Sequence, residues 1–116
     1  MAFSSLRALI GGGGGGGGDG SRGVFGGGSD GSKSNVIDYI TISSTGYATD
    51  FGDLTVARQG LAATSNGTTD RGVFGGGDDD AHSNAIDYIT ISSTGDATDF
   101  GDLTVARQGL AATSDA

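Results

Sequence analysis

The densest group of side chains that could do chemistry is residues 78–82, where three consecutive aspartates stand just before the only histidine of the chain. Carboxylates and imidazole are ligands for divalent cations. Three consecutive Asp side chains in a loop between strands cannot all face one ion, and residues 29–33 carry Ser, Gly and Lys at the equivalent positions. We therefore expect no metal site and no catalytic histidine here, and interpret these residues as a candidate recognition loop: Asp78, Asp79, Asp80 and His82.

Paired carboxylates are a second candidate for chemistry, because acid–base hydrolysis uses two of them. Asp50 and Asp53 recur as Asp99 and Asp102, and this repetition favours a turn role in which Asp bonds to nearby backbone amides. Ser and Thr are numerous, but no base accompanies them, and the absence of cysteine excludes thiolate catalysis and disulfides. The glycine clusters lack the following helix that a phosphate loop needs. We expect no enzymatic activity and no cofactor.

The framework that carries these loops is a tandem repeat. Residues 22–67 return as residues 71–116 at an offset of 49, and 38 of the 46 paired positions are identical. Four of the eight differences fall in the loops at 29–33 and 78–82, which is where recognition specificity would lie. A period near 50 indicates a stacked or circular array whose single units are too small to bury their own cores.

Composition predicts an all-β chain with a thin core. The 116 residues include 25 Gly, no Pro and no Glu, and β-branched and aromatic residues gather in short runs such as 36–42. The net charge of −8, with six scattered cations, argues against nucleic acid as a partner. No apolar stretch approaches the 18 to 20 residues of a membrane span, so we expect no membrane insertion.

Each repeat divides into strand-like runs separated by turn residues. For the second unit these runs are 60–65, 71–74, 85–92 and 97–103, with a hairpin turn at Asn66 and Gly67. Four short antiparallel strands in about fifty residues is the size of one propeller blade.

The predicted organisation has three parts. Residues 1–21 form an N-terminal segment that contains the octaglycine run 11–18 and, at 6–11, a degenerate first strand. Residues 22–70 form the first blade. Residues 71–116 form the second blade and end in a surplus strand, 109–114, which we expect to cross to a neighbouring chain.

The order of residues within each unit resembles the kelch repeat of β-propellers. The resemblance rests on Val24-Phe25-Gly26-Gly27, the Asn-x-Ile-Asp-Tyr run at 35–39, Phe51, Leu54, Arg58 and the Asn66-Gly67 turn, and it covers residues 22–116. Phe51 and Phe100 stand where kelch repeats usually have Trp. The phrases RGVFGGG, IDYITISSTG and ATDFGDLTVAR are also similar to the repeats of virion-associated, tail-fibre-like proteins from phages of marine cyanobacteria.

The resemblance implies an all-β fold of two kelch-like, four-stranded antiparallel blades. Propellers use four to eight blades, so oligomerisation would complete either a closed propeller or an open filament. The glycines after Phe25 and Phe74 would allow close backbone approach, and the aromatic residues would fill the gaps between blades. Each arginine would pair with an aspartate such as Asp53 or Asp102. The expected structural residues are Gly26, Gly27, Tyr39, Phe51, Arg58, Gly75, Gly76, Tyr88, Phe100 and Arg107.

The sequence thus favours a non-enzymatic structural protein that assembles with itself, in a phage particle or fibre or in an extracellular filament. Its partners would be further copies of the chain or other virion proteins. The alternative is a propeller module that binds a carbohydrate or a protein on a host surface.

Overall fold

The protein folds into seven β-strands, as seen in a computed structural model that describes residues 20–115. No helix occurs within this range, which confirms the predicted all-β class. The strands are β1 (Arg22–Gly26), β2 (Val36–Thr41), β3 (Thr49–Asp53), β4 (Ala62–Asn66), β5 (Arg71–Gly75), β6 (Ala85–Thr90) and β7 (Thr98–Asp102).

The strands form two antiparallel meanders. The first sheet has the order β1-β2-β3 and the second has the order β4-β5-β6-β7. Equivalent strands pair in the same register: Phe25 lies opposite Asp38 in the first sheet, as Phe74 lies opposite Asp87 in the second. A four-stranded blade is therefore present once, and the first sheet has three strands among the described residues. The strand expected at 6–11 lies outside them.

Strand β4 belongs to the first repeat by sequence but completes the second sheet. It pairs with β5 along its full length, from Ala62 opposite Gly75 to Asn66 opposite Arg71. The predicted hairpin turn between these strands is confirmed. The side-chain oxygen of Asn66 accepts hydrogen bonds from the backbone N–H groups of Thr68, at 2.9 Å, and Thr69, at 3.3 Å.

The hydrophobic core lies between the two sheets rather than within either one. Its five buried residues comprise three from the first repeat and two from the second: Ile37, Phe51, Leu54, Phe74 and Ile89. Partly buried residues from both sheets surround them: Val24, Tyr39, Leu61, Ile91 and Ala97. Each sheet thus depends on the other for burial of its apolar residues, as expected for a repeat array.

The repeated carboxylate pairs occupy strands and not the turns predicted for them. Asp50 and Asp53 lie in β3, and Asp99 and Asp102 lie in β7. The β-bulges beside Ile37 in β2 and beside Ile86 in β6 set the register in which these aspartates pair with the neighbouring strand. Within residues 20–115 no helix is long and apolar enough to cross a membrane.

Candidate functional site

The best-defined polar site is a buried ion pair that joins the two repeats. The guanidinium of Arg58 donates to the carboxylate of Asp87 at 3.1 Å, and both side chains are fully buried. The Arg58 side chain also donates to two backbone carbonyls. One belongs to Phe74 in β5, at 3.3 Å, and the other to Gly76 just after β5, at 2.8 Å. A buried charge is tolerated when it is paired and hydrogen bonded in this way.

Thr55 completes the set of donors around Asp87. Its backbone N–H donates to Oδ2 at 3.1 Å, and its hydroxyl lies 2.8 Å from both carboxylate oxygens. The carboxylate therefore has partners on Thr55 and Arg58, both from the first repeat. This arrangement orients and holds one repeat on the next.

The structure corrects the partners predicted for the two arginines. Arg58 pairs across the repeat junction with Asp87, not with Asp53. Its repeat equivalent, Arg107, is exposed, and its guanidinium donates to the carbonyl of Val105 at 3.3 Å. Among residues 20–115 it has no ion-pair partner, Asp102 included. The reason is that Asp87, the acceptor for Arg58, belongs to the following repeat. No described repeat lies beside Arg107 to supply an equivalent acceptor.

Three of the glycines predicted to allow close approach do so. A Cβ on Gly27 would lie 2.8 Å from the carbonyl oxygen of Arg58, and one on Gly76 would lie 2.8 Å from that of Arg107. A Cβ on Gly26 would lie 2.8 Å from the ring of Phe74. Gly75 is different, because its nearest neighbours would be 3.8 and 3.9 Å away.

The predicted aromatic residues form two equivalent edge-to-face pairs in different surroundings. Tyr39 and Phe51 have ring centroids 5.8 Å apart, and Tyr88 and Phe100 have centroids 6.0 Å apart. Phe51 is 3% exposed because it lies between the sheets, whereas Phe100 is 53% exposed. The prediction that these rings fill the gap between units holds for the first pair only.

Each aromatic pair is covered by an arginine. Arg22 lies 4.2 Å from the ring centroid of Tyr39, and its Nη1 donates to the carbonyl of Ile91 at 2.7 Å. Arg71 lies 4.1 Å from the centroid of Tyr88. Arg22 thus contributes a second link between the first repeat and the second.

The edge of β3 is paired with a loop of the second repeat. Gly95 and Ala97 donate their N–H groups to the carbonyls of Phe51 and Asp53, both at 2.8 Å, and Asp96 Oδ1 accepts the N–H of Asp53 at 3.1 Å. A Cβ on Gly52 would lie only 2.2 Å from the carbonyl oxygen of Gly95, so this contact requires glycine.

The two variable loops lie side by side. Lys33 Nζ is 2.9 Å from Asp80 Oδ1, and reciprocal backbone bonds join Gln59 to Asp78 at 2.7 and 3.1 Å. The hydrogen bond to Asp80 raises the pKa of Lys33 above its ordinary value of 10.5. The Lys33 amine is therefore charged at neutral pH and the pair is intact there; because it is solvated it contributes little to stability.

His82 is exposed in the second loop, where it forms an isolated β-bridge with Asp78. In the part of the chain that the structure describes, no three His, Cys, Asp or Glu side chains are arranged to hold a metal ion. The two loops together form a small acidic surface that also carries the amine of Lys33.

Sequence reasoning missed Asp87 and Thr55. Asp87 stands in the middle of the apolar strand β6, where an acid needs a buried partner. Its position in that strand was the signal from which the ion pair could have been predicted.

The chain matches no family model and no curated protein.

Proposed function

We propose that this protein is a non-enzymatic structural repeat protein that assembles with copies of itself, as a component of a phage particle or fibre or of an extracellular filament. The observation that carries the proposal is strand donation between repeats. Strand β4 comes from the first repeat and completes the sheet of the second. A repeat thus ends by supplying a strand to the unit that follows it.

The second repeat ends with the same strand sequence except for Asp115 in place of Asn66, but it has no sheet to complete among the described residues. Residues 111–115 are exposed and form no strand ladder. One bond ties this segment to β4, from the Ser114 hydroxyl to the carbonyl of Ser65 at 2.7 Å, and just before it the Gly109 N–H donates to the carbonyl of Gly60 at 2.9 Å. No described strand pairs with the outer edge of β1.

The register of β4 on β5 specifies how such a strand would add to β1 of another chain. Ala111 would lie opposite Gly26, and Asp115 would lie opposite Arg22, where the internal pair is Asn66 and Arg71. The exchange of Asn for Asp places opposite charges across the strands, which favours this pairing. Strand addition is directional, so it generates a ring of kelch-like units or an open filament.

A double substitution tests the proposal. Successive amides of a strand point to opposite edges, so Ala112→Pro with Thr113→Pro removes at least one N–H that faces the partner strand. We expect the wild-type chain to form rings or fibres and the double variant to remain monomeric, by sedimentation velocity and negative-stain microscopy. Deletion of residues 107–116 should have the same effect. A wild-type chain that stays monomeric at all concentrations would refute the proposed function.

A second candidate function, recognition of a host-surface carbohydrate or protein, is favoured by the juxtaposition of the loops at 29–33 and 78–82. These loops carry four of the eight differences between repeats, and they meet through Lys33 and Asp80. Replacing residues 78–82 with the sequence of 29–33 separates the two functions. A structural subunit assembles unchanged after this exchange, whereas a binding module loses retention on host cells or a glycan array.

A further inference from the structure

We propose that the two ends of the chain are the two halves of the internal repeat junction and that they bind each other between copies, with Asp38 of one copy buried against Thr104 and Arg107 of the next. This inference rests on the proposed self-assembly and identifies its contact surface. The front surface is formed by Phe25, Asp38 and the loop at 46–48. The back surface is formed by Gly75, strand β7, Thr104 and Arg107.

The internal junction supplies the template for the polar contact. Arg58 and Thr55 surround Asp87 with bonds of 2.8 to 3.1 Å. The repeat equivalents of Arg58 and Thr55, 49 positions later, are Arg107 and Thr104, and the equivalent of Asp87, 49 positions earlier, is Asp38. Among residues 20–115, neither Asp38 nor Arg107 has an ion-pair partner. One end of the chain therefore carries the unpaired acid and the other end carries its unpaired donors.

The apolar contact follows the same correspondence. Phe74 packs over Gly26 and is 3% exposed, whereas the equivalent Phe25 is 61% exposed. The equivalent of Gly26 is Gly75, where a Cβ would have no neighbour closer than Ile86 and Leu103, at 3.8 and 3.9 Å, and no aromatic ring of the described residues covers it. Phe25 of one copy therefore matches the space over Gly75 of another. Burying this ring would add to the apolar area removed from water at the contact.

The strand edges also correspond. Strand β3 is paired with the loop that contains Gly95 and Ala97, and the equivalent edge of β7 has no partner among the described residues. The equivalent loop at 46–48 is exposed, with Tyr47 fully in solvent. Tyr47 replaces Asp96, so the contact between copies would lack one hydrogen bond, from Asp53 to Asp96 in the internal junction. We therefore expect the contact between copies to be weaker than the internal one.

Charge and symmetry restrict the occupant to a second copy placed head to tail. A two-fold symmetric contact between front surfaces would place Asp38 against Asp38, and one between back surfaces would place Arg107 against Arg107. Both arrangements bury like charges. Only the heterologous arrangement pairs acid with base, and it leaves a free front surface and a free back surface after every addition.

A mixing experiment tests this arrangement. Asp38→Ala disables the front surface and Arg107→Ala disables the back surface, so neither variant can join to itself. Leaving one member of a buried pair without its partner should weaken association at least about 100-fold. A mixture of the two variants retains one intact contact, between Arg107 of the first variant and Asp38 of the second. We expect dimers and no larger species in the mixture, by sedimentation velocity with one variant labelled.

A matched control and a second variant protect the test from folding effects. Lys33→Ala removes a positive charge away from both surfaces and should leave assembly unchanged. Gly75→Ala fits within the chain, since its Cβ would have no neighbour closer than 3.8 Å, but it occupies the space assigned to Phe25. It should weaken assembly while leaving the melting temperature of the monomer unchanged.

The possible outcomes separate this inference from the proposed function. If the wild-type chain assembles and the Asp38 and Arg107 variants assemble equally well, the contact surface is wrong although self-assembly stands. A mixture that stays monomeric also overturns the inference. If Asp38→Ala lowers the melting temperature of the monomer without changing assembly, a segment of the same chain covers the front surface, and the inference is again wrong.

Discussion

At the scale of single residues, identical side chains differ in role according to their neighbours. Arg58 and Arg107 follow the same ten residues, yet one is buried in an ion pair and the other is in solvent. Phe51 and Phe100 differ in the same way. The repeat therefore provides matched controls, in which the same substitution can be made at a contact and away from it.

The first such comparison is Arg58→Ala with Arg107→Ala. Loss of Arg58 leaves the carboxylate of Asp87 buried with only Thr55 as a donor, which should cost about 3 to 5 kcal/mol of unfolding free energy. Loss of Arg107 should cost less than about 0.5 kcal/mol in the monomer. Urea unfolding below the assembly concentration measures both. If Arg58→Ala does not fold, Arg58→Lys retains the charge and should be intermediate; equal losses at the two positions would contradict the expectation.

The second comparison is Gly52→Ala with Gly101→Ala. The two glycines have nearly the same backbone φ, +156° and +152°, so any strain from a side chain is shared. Only at Gly52 would the new Cβ meet another atom, the carbonyl oxygen of Gly95 at 2.2 Å. We expect Gly52→Ala to be the less stable variant by about 1 to 3 kcal/mol, measured by thermal unfolding. Indistinguishable melting temperatures would show that the loop does not pair with β3 as described.

At the scale of elements, strand β4 links one repeat to the next. It forms a hairpin with β5 through the Asn66 turn. Leu61, the residue just before β4, packs against the core between the two sheets. A strand that is supplied by the preceding repeat couples the stability of neighbouring units.

Proline substitution in β4 tests this coupling. Ala63→Pro with Thr64→Pro removes at least one ladder bond to β5 and should destabilise the monomer by about 1 to 3 kcal/mol. The equivalent change at Ala112 and Thr113 lies in an exposed, unpaired segment and should leave monomer stability unchanged. Hydrogen exchange of the β5 amides provides the local measurement. Unchanged protection of β5 in the first variant would argue against the described pairing.

At the scale of the whole molecule, the core of residues 20–115 lies where the two repeats meet. The five buried apolar residues come from both repeats, and the equivalent residues at the outer ends include Phe25 and Phe100, which are more than half exposed. A chain built in this way has apolar and charged surfaces at its ends that match each other.

An isolated second repeat should therefore be unfolded. Residues 71–116 lack β4 and the buried residues of the first repeat, including Phe51 and Leu54, so the core cannot form. Circular dichroism should show no strand signal and no cooperative melting for this fragment, in contrast to the full chain. A cooperatively melting monomeric fragment would show that one sheet is sufficient.

Much of the fold was accessible from the amino-acid sequence. The 49-residue repeat, the all-β class, the Asn66 hairpin and the close approach at Gly26, Gly27 and Gly76 follow from local composition and spacing, because strand propensity and turn chemistry act over a few residues. The partner of Arg58 was not accessible in this way. It lies 29 positions away, and Asp53 was the nearer candidate.

The tertiary structure was required to distinguish one repeat from the other. The two copies have nearly the same sequence and nearly the same strands, so local forces treat them alike. Burial differs because the first repeat has a neighbour on its back surface and the second repeat has none among the described residues. That difference places Phe51 and Arg58 in the core and leaves Phe100 and Arg107 in solvent.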